Sequence, residues 1–217
     1  MAKNGVIFDL DGTLIVNMQY HLLAWERLVK EMGGVLSGEE LFGELYGKNE
    51  EVIVRLFGNN FSAEKLLELS HLKERYYREM YLPNVALIAG AKSFFELLII
   101  EKIPIAIATA SMKMNVDLIV DVLEIREYFD AIITADDVTF SKPNPESFLK
   151  AAAAIGVSPE NCLVFEDVPK GVQSAANAGM QAVVLTTSHT PQEFEPSKNI
   201  KFFIPDFQRL NTDSLFN

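Results

Sequence analysis

Val6-Ile7-Phe8-Asp9-Leu10-Asp11-Gly12-Thr13-Leu14 runs three apolar residues straight into a carboxylate, follows it with a second, and then turns at Gly12. An apolar run of this length bounded by a turn reads as a buried strand that delivers two acids to one edge of a sheet. Alternate residues of an extended chain share a face, so Asp9 and Asp11 can flank one reacting atom, and Gly12 permits a close backbone approach. A calcium loop would need an acid or Asn at Thr13, Gly at Leu14 and Glu at Tyr20, and all three requirements fail. A polar turn closing an ordinary strand stays open on this motif alone. The choice depends on what other segments bring to the same edge.

The chain has 217 residues, 49% of them hydrophobic, with room for one large core and one smaller one. Thirty acidic residues against 19 basic ones give a net charge of -11, which excludes nucleic acid and anionic membrane as expected partners. A small anionic substrate would need positive charge gathered locally. Cys162 is the only cysteine and lies in the apolar run Cys-Leu-Val-Phe, so it reads as a strand residue and no internal disulfide framework is available. No apolar run approaches the roughly 18 residues that span a bilayer, and no signal-type segment precedes the first strand, which predicts a cytoplasmic protein.

Residues 17–83 show helical stripes, the clearest being Met18, Leu22, Trp25, Val29 and Met32. Asn17 suits the first N-cap, Gly33-Gly34 a helix end, and a long helix over 63–81 stops at Pro83. From residue 87 onward short β-rich runs alternate with amphipathic helices, the pattern of an α/β fold with a parallel sheet and helices on both faces. Strands are expected near 103–109, 131–134, 162–166, 181–185 and 202–204, and helices near 91–101, 115–124, 145–155 and 170–178. The prediction is a Rossmann-like core of residues 1–16 and 84–217 with an all-helical cap, 17–83, inserted after the first strand and hinged as a lid.

In open α/β sheets ligands bind at the carboxyl ends of the strands. The second strand ends in Thr109-Ala110-Ser111, ahead of a helix starting near Asn115, a turn that offers amides and hydroxyls to an anion. Thr109 alone reads equally as a strand-end hydroxyl or helix cap. Ser141-Lys142-Pro143-Asn144-Pro145 stiffens the backbone around one lysine, a rigid mount for a point charge or a plain solvated turn. The fourth strand ends in Glu166-Asp167.

Taken together, Asp9-Leu-Asp-Gly-Thr13, Thr109, Lys142-Pro143 and Glu166-Asp167 resemble, in order and spacing, the four signature segments of the haloacid dehalogenase-like hydrolase superfamily. The helical insertion resembles the small cap of the subgroup containing β-phosphoglucomutases and sugar-phosphate phosphatases. The resemblance implies that Asp9 attacks phosphorus to form an aspartyl phosphate, while Asp11 protonates the leaving oxygen and later activates water. It assigns magnesium to the Asp9 carboxylate, the Asp11 carbonyl and Asp167, with Glu166 close by. Thr109, Lys142 and the amides and hydroxyls around Ala110 and Ser111 would hold the phosphoryl group. Asn115, His21 and Lys48 are the expected substrate contacts.

Halide needs no proton to leave, so a second acid and a metal pair favour phosphoryl transfer over dehalogenation. A phosphonate-cleaving relative would need a cap lysine of depressed pKa, and nothing near Lys48 suggests one. Hydrolase and mutase share all four segments. A mutase must grip a second phosphate, and its pattern expects an arginine three residues past Gly47, where this chain has Glu50; Val16 also departs from the usual hinge acid. His21 and Trp25 match the mutase-like cap helix, although His21 also reads as a partly exposed neighbour of the Trp25 stripe. The expectation is a monomeric, magnesium-dependent phosphatase of a small phosphorylated metabolite, with a mutase and a non-catalytic metabolite-binding protein as alternatives.

Overall fold

The apolar run before Asp9 forms the central strand of a sheet, buried on both faces. The computed structural model describes residues 4–216. Its strands are β1 (Gly5–Phe8), β2 (Ile105–Ala108), β3 (Ala131–Ile133), β4 (Cys162–Glu166), β5 (Gln181–Leu185) and β6 (Ile200–Ile204). They lie in the order β3-β2-β1-β4-β5-β6, and every neighbouring pair is parallel. Phe8 stands opposite Ile107 on one side and Phe165 on the other, so the end of β1 opens between the ends of β2 and β4.

The helices are α1 (Met18–Glu31), α2 (Gly38–Phe42), α3 (Asn49–Phe57), α4 (Ala63–Tyr81), α5 (Ala91–Ile100), α6 (Lys113–Val122), α7 (Glu146–Ala154), α8 (Pro169–Asn177) and α9 (Asp213–Phe216). Strand periodicity divides the core: Ile7 joins Phe148 of α7 and Val172 of α8 on one face. Phe8 meets Phe94 and Phe95 of α5, Phe129 and Phe207 on the other. Predicted boundaries differ from observed ones by a residue or two, as at β2 and α6, because element ends fray and lack a sharp sequence signal. Among the described residues no helix is long and apolar enough to cross a membrane.

The chain divides into two compact units, one holding the described residues up to Val16 and from Ala86 onward, the other Asn17–Val85. In the helical unit the α1 stripe packs with Leu41, Val52, Ile53 and Leu69. Asn17 occupies the α1 N-cap position, but its side chain does not cap the helix. Its amide instead donates to the Tyr77 hydroxyl at 2.7 Å and lies 3.3 Å from His21 Nε2, because a buried hydroxyl and ring offer it partners a solvated cap does not need. His21 is likewise buried, stacked on Tyr77 with ring centroids 3.9 Å apart, not a half-exposed neighbour of Trp25.

Lys73, 1% exposed, donates to His21 Nδ1 at 2.7 Å and to Glu74 Oε1 at 2.8 Å, and Asn49 Nδ2 donates to the same Glu74 oxygen at 2.7 Å. Burial pushes the Glu74 carboxyl up, but the Lys73 ammonium, His21 and the hydrogen bonds from Lys73 and Asn49 outweigh it and hold the group at about 2. A depressed folded-state pKa stabilises above the unfolded carboxyl range and loses that contribution as pH falls. Glu74→Gln is therefore expected to destabilise at neutral pH by about 3 kcal/mol and to flatten the stability loss between about pH 4.5 and pH 2. Urea unfolding across that range checks it; an unchanged pH slope would remove Glu74 from the account.

Candidate active site

Asp9 follows β1 directly, with its amide donating to the Phe165 carbonyl at 2.9 Å. Lys142 Nζ donates to Asp9 Oδ1 at 2.6 Å, to Glu166 Oε1 at 2.7 Å and to the Ala108 carbonyl at 3.1 Å, so one cation ties together the ends of β1, β2 and β4. Its mount is held from α8: Asn177 Nδ2 donates to the Pro143 carbonyl and Ser174 Oγ to the Asn144 carbonyl, each at 2.8 Å. The lysine is a buried fixed charge, and the solvated-turn alternative falls. Burial works against its charge, yet the Asp9 and Glu166 carboxylates hold the ammonium above the usual lysine range.

Past Asp9 the backbone turns, with Leu14 N–H donating to the Leu10 carbonyl and Gly12 N–H to the Ile15 carbonyl, each at 2.8 Å. Gly12 lies at φ +79°, and a Cβ there would come within 2.0 Å of Asp167 Oδ2, so only glycine fits. Asp11 Oδ2 accepts from Ser111 Oγ and, at 3.5 Å, from Thr109 Oγ1, while Ser111 N–H donates to Thr109 Oγ1 at 3.1 Å. The Thr109 hydroxyl thus both closes its own turn and reaches the second acid. Ala110 is exposed between them.

Asp9, Asp11, Thr109, Ser111, Lys142, Glu166 and Asp167 are therefore gathered at one sheet edge. Two expectations need correction. Glu166 is not oriented as a free metal ligand: Oε1 takes Lys142, and Oε2 accepts the amides of Asp167 and Val168 at 2.9 and 3.0 Å. It is pressed against Gly171, where a Cβ would fall 1.8 Å from Oε1, and its task here is to seat Lys142. Asn115, 1% exposed in the first turn of α6, is enclosed and offers no open surface for a substrate. His21 and Lys48 belong to the helical unit; Lys48 stands at the N-cap of α3, its amide donating to Glu51 Oε2 at 3.1 Å.

The acids carry more negative charge than the lysine cancels. Burial pushes Asp9 up to about 8 against the pull of Lys142, with Glu166 and Asp11 adding to the rise. Burial, Glu166 and Asp9 raise Asp167 well above its ordinary value. Asp167 Oδ1 accepts from Thr13 Oγ1 at 3.2 Å, but Oδ2 is buried without a hydrogen bond. A deeply buried carboxylate pair, Asp9 and Asp167, whose charged forms burial and mutual repulsion disfavour, is what a hard cation would satisfy. Among the described residues no three His, Cys, Asp or Glu side chains form a complete cage. Magnesium does not require one, since it keeps waters and takes one or two carboxylates plus phosphate oxygens.

The structure adds a fifth strand end that the sequence reading passed over. Thr187, after β5, donates from Oγ1 to the Gly12 carbonyl, and Ser188 lies beside it. The hydroxyl run Thr186-Thr187-Ser188 after an apolar strand was a visible signal of the same kind as Thr109-Ala110-Ser111.

A family model described as haloacid dehalogenase-like hydrolase matches residues 6–185. A fructose-1-phosphate phosphatase of Escherichia coli is 32% identical over 82% of this chain and 94% of its own length. A β-phosphoglucomutase of Bacillus subtilis is 33% identical over 82% of this chain and 81% of its own. Among solved structures, a hydrolase of this superfamily (family IA, variant 3) from Entamoeba histolytica superposes with a TM-score of 0.88 at 30% identity, covering 97% of this chain and 96% of that one.

Proposed function

Since the chain belongs to the haloacid dehalogenase-like hydrolase family, and is a phosphohydrolase, we propose that it hydrolyses a small sugar-phosphate-class metabolite with Asp9 as nucleophile and magnesium as cofactor. The observation that carries this reading is Lys142 Nζ at 2.6 Å from Asp9 Oδ1, at the edge where hydroxyls also hold Asp11. Asp9 attacks phosphorus in line and the bond to the leaving oxygen breaks as Asp11 supplies its proton. Asp11 then takes a proton from water, which attacks the same phosphorus, and the bond from phosphorus to Asp9 breaks to release inorganic phosphate. Lys142, Thr109 and the amides of the Thr109–Ser111 turn bind the phosphoryl oxygens as charge builds on them. The Asp9 and Asp167 carboxylates and the Asp11 carbonyl would hold magnesium, which supplies charge cancellation between nucleophile and phosphate.

Hydrolysis is favoured over mutation by Glu50, in the first turn of α3, whose Oε1 accepts from Ser70 Oγ at 3.0 Å. Where the resemblance expects a mutase's arginine, three residues past Gly47, this chain has that carboxylate, which supplies no cationic grip for a second phosphate. The mutase reading draws on the Bacillus subtilis relative and on the match of His21 and Trp25 to the mutase-like cap helix. Phosphate release is to be measured across hexose phosphates, nucleotides and pyrophosphate, with and without magnesium and a hexose bisphosphate. Magnesium-dependent release from sugar phosphates, indifferent to the bisphosphate, is expected. Isomerisation of a hexose phosphate without phosphate release would establish the mutase, and no turnover of any kind would leave a binding protein.

A further inference from the structure

The turn after β5 plays no part in the chemistry above, yet it touches the catalytic turn at its tightest point. Thr187 Oγ1 donates to the Gly12 carbonyl across 175 positions of sequence. Ser188 Oγ and Asp167 Oδ2 border the same space beside Gly12: a Cβ there would lie 3.0 Å from the first and 2.0 Å from the second. Gly12 N–H is held by the Ile15 carbonyl at 2.8 Å. Because a trans peptide is planar, fixing that N–H fixes the opposed Asp11 carbonyl, and holding the Gly12 carbonyl as well pins both peptide planes that meet at Gly12. Glycine has the widest φ/ψ freedom of any residue, so without an anchor on each side this hinge would let the Asp11 carbonyl swing.

We infer that Thr187 and Ser188 are positioning residues for the cation site: Thr187 anchors the Gly12 carbonyl, the far side of the hinge whose near side Ile15 holds, and so keeps the turn carrying the Asp11 carbonyl from swinging, while Ser188 borders the Asp167 carboxylate beside Gly12. The inference rests on the proposed magnesium site and deepens it. Both side chains act through other groups, and outer partners of this kind typically set metal affinity within a ten- to hundredfold range.

Magnesium affinity without substrate, read from the metal-dependent rise in melting temperature and by titration calorimetry, tests the inference apart from turnover. Thr187→Val keeps the shape and removes the hydroxyl; its magnesium midpoint is expected to rise about ten- to a hundredfold, while Thr187→Ser, which restores the donor, stays within about twofold of the parent. Ser188→Ala is expected to raise the midpoint by about tenfold. A parental midpoint in Thr187→Val overturns the role of Thr187, and one in Ser188→Ala that of Ser188. A parent protein that itself shows no response to magnesium overturns the underlying site and this inference with it, an outcome distinct from variants that match a responsive parent.

Discussion

Asp9→Asn is expected to leave a folded protein whose turnover falls by roughly ten-thousandfold or more, because an amide presents no carboxylate to phosphorus and the remaining groups have nothing to act with. Folding is spared for a separate reason. Burial pushes the Asp9 carboxyl to about 8, so the folded state binds its proton more tightly than the unfolded chain does. Stability from such a group is complete below the unfolded carboxyl range near pH 4 and is lost as pH rises through about 8. The asparagine variant removes that dependence and should melt at the parental temperature or above it at neutral pH, with a flatter profile in magnesium-free buffer. Steady-state assays paired with thermal melts check both parts; turnover above a tenth of the parent would dismiss Asp9 as nucleophile.

Lys142→Ala carries the largest stability loss expected of any single change at this site. Among the described residues the lysine is the one cation bonded to both Asp9, 2.6 Å away, and Glu166, 2.7 Å away, with all three side chains less than a tenth exposed. Removing one partner of a buried ion pair strands the others at a cost of about 3–5 kcal/mol. Losing a cation aimed at the transferring group costs roughly a further hundred- to thousandfold in rate. Adding Glu166→Gln to Lys142→Ala should recover part of the stability but none of the activity, since it deletes one of the stranded charges without restoring the donor. Urea unfolding of the two single variants and the double variant tests this. A double variant no more stable than Lys142→Ala would show that Glu166 is not seated by the lysine.

The fold and half of the site were legible in the sequence because their signals are local. An apolar run followed by an acid, a hydroxyl pair or an acid pair marks a strand and its carboxyl end without any tertiary knowledge. Two prolines just after Lys142, at 143 and 145, signalled a rigid mount. What escaped were groups whose meaning comes from distant partners. Lys73 reads as an ordinary solvated lysine on an amphipathic helix, and only the packing of His21, Glu74 and Asn49 around it makes it a buried cation. Asn17 carries the residue type of a cap, and a hydroxyl 60 positions away takes its amide instead.

Order of elements, the parallel sheet, the inserted helical unit and the acids at the edge of β1 follow from periodicity and turn chemistry, which act over a few residues. Tertiary structure alone decided that Lys142 reaches Asp9 across 133 positions, that Glu166 braces this lysine with one oxygen while the other takes the Asp167 and Val168 amides, and that Thr187 holds the Gly12 carbonyl. Burial and charge balance are properties of the assembled edge, where each carboxylate answers to every other one nearby, and no window along the chain contains that sum.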